Sequence, residues 1–211
     1  MFTFLCILLG YLLGSIPFAL VIARVFYKTD LRQHGSGNPG GTNAGRVLGK
    51  KAGIAVIVLD ILKVVVSMWI ASMVSPVTAV WTGLACCVGH CYPIFAHFKG
   101  GKAVSTVFGF LLGLSIFVFS NAWYFIAPII MFLVMLYLFR FVSLASISAI
   151  LTSSLLVTVM LWNVLWIPGL MASAVSTIVA SWFMSILVIW RHWGNIDRIR
   201  KGTEDQITWM G

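Results

Sequence analysis

Residues 52–74 read AGIAVIVLDILKVVVSMWIASMV. The run exceeds the roughly 20 predominantly apolar residues that carry a helix across a bilayer. Lys50 and Lys51 stand before it and Ser75-Pro76 after it, so it has a cationic end and a turn end. Its only charges are Asp60 and Lys63, which at i, i+3 share a helix face and can pair near the inner leaflet. Charges inside a membrane are costly and are either functional or paired. Support of a site and a plain structural pair both remain open for these two.

The rest of the chain agrees with a membrane reading. Of 211 residues, 61% are hydrophobic and 9% charged, and mean hydropathy is +1.04. A soluble domain has ~45–50% apolar and ~25% charged residues. Seven apolar segments can be drawn: Phe2–Phe26, Ala52–Val74, Pro76–Phe98, Ala103–Phe119, Ala122–Phe139, Phe141–Trp162 and Pro168–Trp190. The expected fold is therefore an all-α, seven-helix transmembrane bundle, one domain over residues 1–211. No cleavable signal peptide is expected, because Met1 to Leu9 is uncharged and the apolar run continues to Arg24.

Seven alternating spans sort the charges. Arg24, Lys28, Arg32, Arg46, Lys50 and Lys51 lie in or beside the first long loop, Lys99 and Lys102 in the next, and Arg140 in a third. Arg191, Arg198, Arg200 and Lys201 lie in the tail, and the opposite turns near 75, 120 and 163–167 hold no Lys or Arg. The positive-inside rule then puts the N-terminus outside, with these loops and the C-terminus in the cytoplasm. The acids and all four histidines fall on the same side, so the chemistry is expected at the cytoplasmic face. Cys6, Cys86, Cys87 and Cys91 read as membrane-packed thiols, since their spacing is not that of a zinc site. In the last span, Ala172, Ser176 and Ala180 form one four-residue row and Ser173, Thr177, Ser181 and Ser185 another, a close-packing face.

Four stretches carry chemistry. In HGSGNPGGTNAGRVLGKK, residues 34–51, Gly35, Gly37, Gly40 and Gly41 let amides turn towards an anion. Ser36, Asn38, Thr42 and Asn43 add donors, and Arg46 adds a bidentate charge. GHCYPIFAHFKGGKAVST, residues 89–106, repeats the recipe with Lys99, Gly100, Gly101 and Lys102 ahead of a new helix near Ala103. His90 and His97, seven apart, would share a helix face, each either a ligand or a hydrogen-bonded interface residue. RFVSLASI, residues 140–147, offers Arg140, Ser143 and Ser146, readable as a charge anchor with packing serines or as part of a site. In RHWGNIDRIRKGTED, residues 191–205, His192 and Asn195 would project from one helical face, and Glu204 could orient a cation. The acids are too scattered to hold Mg²⁺, so no metal and no cofactor is expected. Catalysis would rest on binding phosphates, positioning and charge neutralisation.

Together these stretches resemble the bacterial acyl-phosphate-dependent glycerol-3-phosphate acyltransferases, the PlsY family. GSGNPGGTNAGRVLGKKAG with LDILK, then GHCYPIF with FKGGKAVST, then RFVSLASI, then RH-x-x-NI-x-R with GTE carry the resemblance, in order and with the expected spacing. Three positions depart: Gly41 and Ala103 stand where the family more usually has Ala and Gly, and Gly45 where it has a bulkier residue. The resemblance implies an inner-membrane enzyme that makes lysophosphatidic acid from fatty acyl phosphate and glycerol 3-phosphate, with no covalent intermediate. It implies catalytic roles for Ser36, Arg46, Lys102, His192 and Asn195. Substrate binding would involve Gly35, Gly37, Asn38, Thr42, Asn43, His90, Lys99, Gly100, Gly101, Ser143 and Glu204. The partners would be the two substrates and membrane lipid, with no nucleic acid and no obligate protein partner. The competing class is a carrier or flippase of a phosphorylated lipid, but that calls for polar residues along a path across the bilayer, and the outer half has almost none.

Overall fold

The computed structural model describes residues 1–207, and every regular element among them is helical. The chain divides into two compact units, Met1–Gly113 and a second from Leu114 onward.

In the first unit, the span expected as one helix over Phe2–Phe26 is broken into α1 (Phe2–Gly14) and α2 (Phe18–Tyr27). Pro17 supplies the reason, because it has no N–H and its ring disfavours a helical residue before it. The Ser15 amide and hydroxyl both donate to the Tyr11 carbonyl, at 2.9 and 2.8 Å. After the first loop, α3 (Gly41–Leu48) folds back on α4 (Lys50–Ser72). A Cβ added at Gly53 would lie 2.6 Å from the Gly45 Cα. Two glycines thus set α3 backbone against backbone on α4, the close approach small residues allow between membrane helices.

Ser75 caps α5 (Pro76–Cys91), its hydroxyl accepting from the Thr78 amide at 3.0 Å, with Pro76 in the first helical turn. The sequence predicts this span to run to Phe98, but the helix stops at Cys91 and a 3₁₀ turn follows over Ile94–Ala96. His97 and Phe98 then take positive φ, 54° and 59°. His90 and His97 therefore do not share a helix face, which corrects that expectation. α6 (Val104–Gly113) begins directly after Ala103, itself at φ 62°.

The second unit opens with a π-helical turn over Leu114–Val118, then α7 (Trp123–Phe139), α8 (Val142–Leu161), a 3₁₀ turn over Asn163–Trp166, α9 (Met171–Arg191) and α10 (Trp193–Arg200). The packing face predicted on α9 is present. Ser173, Thr177, Ser181 and Ser185 are all buried, as are Ser176 and Ala180, while Ala172 is exposed. The Ser154 hydroxyl of α8 lies 2.8 Å from that of Ser185 and donates to the Ser181 carbonyl at 2.9 Å.

Five helical stretches are long and apolar enough to cross a membrane: Phe2–Tyr27, Lys50–Ser72, Pro76–Ala96, Val142–Trp166 and Met171–Arg191. Val104–Val118 and Trp123–Phe139 are shorter apolar helices. The chain is a multi-pass, all-helical membrane protein. Cys86, Cys87 and Cys91 are buried thiols and Cys6 is half-buried.

Candidate active site

The first glycine-rich loop is built around Asn43 on α3. Its side-chain amide donates to the Leu31 and His34 carbonyls at 3.1 and 3.0 Å, and its Oδ1 accepts from the Ser36 amide at 2.9 Å. Asn43 is 1% exposed. The expected phosphate donor therefore shapes the loop from inside. Gly35 passes against the Asn43 Oδ1 at φ 58°, and Gly37 turns the chain at φ 70°, conformations that favour glycine. Upstream, Arg32 grips Asp30 with two nitrogens, Nε at 3.0 Å from Oδ1 and Nη2 at 2.6 Å from Oδ2. That hydrogen-bonded guanidinium holds the Asp30 carboxyl well below the usual carboxylate range. Ser36, Thr42 and Arg46 are exposed, and Asn38 is half-buried. This arrangement gives a rigid turn carrying two hydroxyls and a guanidinium.

The second loop is tied back to the end of α5. The Gly100 amide donates to the Cys91 carbonyl at 3.2 Å and the Gly101 amide to the His90 carbonyl at 3.1 Å. Gly100 and Gly101 are buried, and a Cβ on Gly101 would run into the His90 Nε2. Two amides expected to turn towards an anion thus fasten the loop, and Lys99 and Lys102 flank them as its cations. The two loops share a foundation: Ala96 sits in one apolar cluster with Leu31, Ala44 and Val56.

Asp60 and Lys63 form the predicted pair, Nζ to Oδ1 at 2.8 Å, both almost wholly buried. Their other partners lie far away along the chain. Lys63 Nζ also lies 3.0 Å from His90 Nδ1 and donates to the Ile16 carbonyl at 3.1 Å. That carbonyl stands at the break between α1 and α2. Ser105, at the start of α6, donates to Asp60 Oδ2 at 3.4 Å.

The second unit gathers Ser143, His192, Asn195 and Glu204. His192 stands at the corner between α9 and α10, so it and Asn195 do not project from one continuous helix. The backbone still links them, with the Asn195 amide donating to the His192 carbonyl at 2.9 Å. Val188's carbonyl lies 2.8 Å from His192 Nδ1. A carbonyl only accepts, so Nδ1 carries hydrogen and the neutral ring has its lone pair at Nε2. Glu204 Oε1 accepts from Ser143 Oγ at 2.7 Å and from Asn195 Nδ2 at 2.6 Å. Its Oε2 accepts from Arg198 Nε at 2.8 Å. Burial pushes the Glu204 carboxyl up, but these hydrogen bonds outweigh it and its pKa lies below the ordinary glutamate value. The placement makes Glu204 an anchor for Ser143 and Asn195. Arg140, exposed at the end of α7, accepts from the Ile207 amide at 2.9 Å through its carbonyl, and Ser146 turns onto the Val142 carbonyl within α8 at 2.7 Å.

Comparison with known proteins gives one consistent result. Residues 4–202 match the family model for glycerol-3-phosphate acyltransferase. A glycerol-3-phosphate acyltransferase of Geobacillus kaustophilus is 40% identical over 210 residues, covering 99% of this chain and 98% of that protein. One from Listeria monocytogenes is 40% identical over 214 residues, covering 96% of each. The crystal structure of PlsY (YgiH), an integral membrane glycerol 3-phosphate acyltransferase, in its glycerol 3-phosphate form, matches with a TM-score of 0.85 at 35% identity. That match covers 98% of this chain and 96% of the other.

Proposed function

The chain belongs to the glycerol-3-phosphate acyltransferase family, and we propose that it moves a fatty acyl group from acyl phosphate to the sn-1 hydroxyl of glycerol 3-phosphate. The observation that carries this reading is the first loop, held by Asn43, with Ser36 exposed on it and Thr42 and Arg46 exposed one turn apart on the helix that follows. A hydroxyl-rich turn with a guanidinium suits a phosphate, and Arg46 can meet two phosphate oxygens at once. Lys102 on the second loop adds charge for the phosphate that leaves, with Gly35, Asn38 and Lys99 assisting, while Gly37, Gly100 and Gly101, whose amides are bonded within their loops, shape those loops.

The reaction needs little from the protein beyond positioning. The glycerol oxygen attacks the acyl carbonyl carbon, the bond from that carbon to the phosphate oxygen breaks, and inorganic phosphate leaves. Acyl phosphate is a mixed anhydride, so its leaving group is already activated and no covalent enzyme intermediate is required. The hydroxyl proton passes to the departing phosphate. His192 accepts a hydrogen bond from the glycerol through Nε2, beside Asn195, and Ser143 and Glu204 complete that end by fixing Asn195. The Val188 carbonyl at His192 Nδ1 is a weaker support for an imidazolium than the buried aspartate of a catalytic triad.

Residues 1–211 act as one acyltransferase domain, as the family match running through both units supports. The helices form seven spans in the inner membrane, N-terminus outside, C-terminus and chemistry on the cytoplasmic face. The one-sided distribution of Lys and Arg supports this. An impermeant thiol reagent should then label Ala122→Cys from outside intact cells and Lys99→Cys only after lysis; labelling of both from one side would refute the seven-span arrangement. For the donor, purified protein in nanodiscs with labelled glycerol 3-phosphate should make lysophosphatidic acid from acyl phosphate and none from acyl-CoA. Acylation from acyl-CoA alone would overturn the donor assignment, and binding without turnover would favour a lipid carrier.

A further inference from the structure

We propose that Asp60 and Lys63 are positioning residues that hold His90 as a neutral ring with its proton on Nε2, a fixed donor at the Gly100–Lys102 loop. A count of protons decides the tautomer. An ammonium has three N–H bonds and no acceptor, and Lys63 Nζ has three acceptors around it. They are Asp60 Oδ1 at 2.8 Å, the Ile16 carbonyl at 3.1 Å and His90 Nδ1 at 3.0 Å. The one shared proton rests on lysine, the more basic of the two groups, with the Asp60 carboxylate beside it. His90 Nδ1 is therefore a lone pair, and the neutral ring carries hydrogen on Nε2, the nitrogen that lies against Gly101.

The same group brackets the whole loop. His90 holds its start, where the Gly101 amide returns to the His90 carbonyl, and Asp60 Oδ2 holds its end through Ser105. Around the cluster stand the Phe18 ring, 5.7 Å from Lys63 Nζ, and the Cys86 thiol one turn before His90 on α5. Lys99 and Lys102 are the cations of the loop itself. Asp60 Oδ1 also faces His90 Nδ1, at 3.5 Å, but Lys63 is nearer at 3.0 Å and already holds that carboxylate, so a proton on Nδ1 would meet a second buried cation. The inference rests on the acyl-transfer reading only in that Lys102 rides on this loop.

Histidine ¹⁵N NMR of the full chain in nanodiscs reads the tautomer without reference to activity, with His90→Gln identifying the signal. Between pH 5.5 and 8.5 His90 should remain the Nε2–H tautomer and not titrate. In Lys63→Gln the lysine donor is gone and Asp60, 3.5 Å from Nδ1, is left facing the ring, so His90 should titrate within this pH window. The kcat of that variant should then gain an acidic limb, falling about tenfold from pH 8 to 5.5, with the KM for glycerol 3-phosphate little changed. An Nδ1–H tautomer in the wild type, or an ordinary imidazole titration there, would overturn the proposal. That spectrum decides even where Lys63→Gln does not fold. An inactive protein with the expected tautomer would instead count against the acyl-transfer reading alone.

Discussion

Arg46→Ala and Lys102→Ala should each lower kcat by ~10²–10³, the usual loss when one preorganised charge contact to a reacting oxyanion is removed. Arg46→Lys should recover only part of this, because an ammonium cannot grip two oxygens in one plane; steady-state assays on folded, purified variants decide, and full activity in either alanine variant would remove that residue from the site. His192 separates two mechanisms. As a glycerol ligand its replacement by Asn should chiefly raise the glycerol 3-phosphate KM and leave kcat within about tenfold. As a general base its loss should collapse kcat by ~10³ and erase the acidic limb of the pH profile. Among single residues the sequence was legible where spacing pairs two charges, as with Asp60 and Lys63, which do meet in the fold. Asn43 was not, because a buried amide that shapes a loop and one that binds a phosphate look alike in a sequence. The departures at 41 and 103 acquire physical meaning in the fold. A methyl on Gly41 would press on Ile57 Cγ1, and Ala103 takes a φ of 62° that glycine adopts with less strain.

Helix α3 lies on α4 through Gly53 and Gly45, and the two positions should respond differently to one methyl. A Cβ at Gly53 would meet backbone at 2.6 Å, whereas one at Gly45 has its nearest neighbour at 3.7 Å. Gly53→Ala should therefore lower the thermal midpoint and loosen the first loop, while Gly45→Ala should leave the midpoint within error in a fluorescence melt. The segment after α10 depends on Glu204 in a way that sets a pH window. Its pKa is depressed in the folded chain, so the anchoring is fully present above the ordinary glutamate value of ~4.3 and is lost as pH falls through the lower folded value. Limited proteolysis should find the tail protected at pH 6 and progressively cut below pH 4.5, and Glu204→Gln should be cut at both. Equal protection of wild type and variant at pH 6 would show that Ser143, Asn195 and Arg198 do not need the carboxylate. Hydropathy placed the elements well, since apolar runs of spanning length leave few alternatives. It missed the break at Ser15–Pro17 and the end of α5 at Cys91, because apolar residues continue through both and only backbone geometry stops the helix.

For the molecule as a whole, the apolar composition already marked a multi-pass membrane protein, and the one-sided cations point to the loops proposed to carry the chemistry. What the sequence could not express was the way distant residues meet: Lys63 with Ile16 and His90, or Ser143 with Glu204 across some sixty positions. Spacing rules reach one helical turn, and these contacts are made by tertiary folding. In the proposed reaction a glycerol hydroxyl attacks the acyl carbon of acyl phosphate. Glycerol 3-phosphate labelled with ¹⁸O at the sn-1 hydroxyl tests it most directly, by mass spectrometry of the products formed with unlabelled acyl phosphate. The account predicts all of the label in the ester oxygen of lysophosphatidic acid and none in the released phosphate. Free fatty acid together with a doubly phosphorylated glycerol carrying the label would mean attack at phosphorus, and would contradict it.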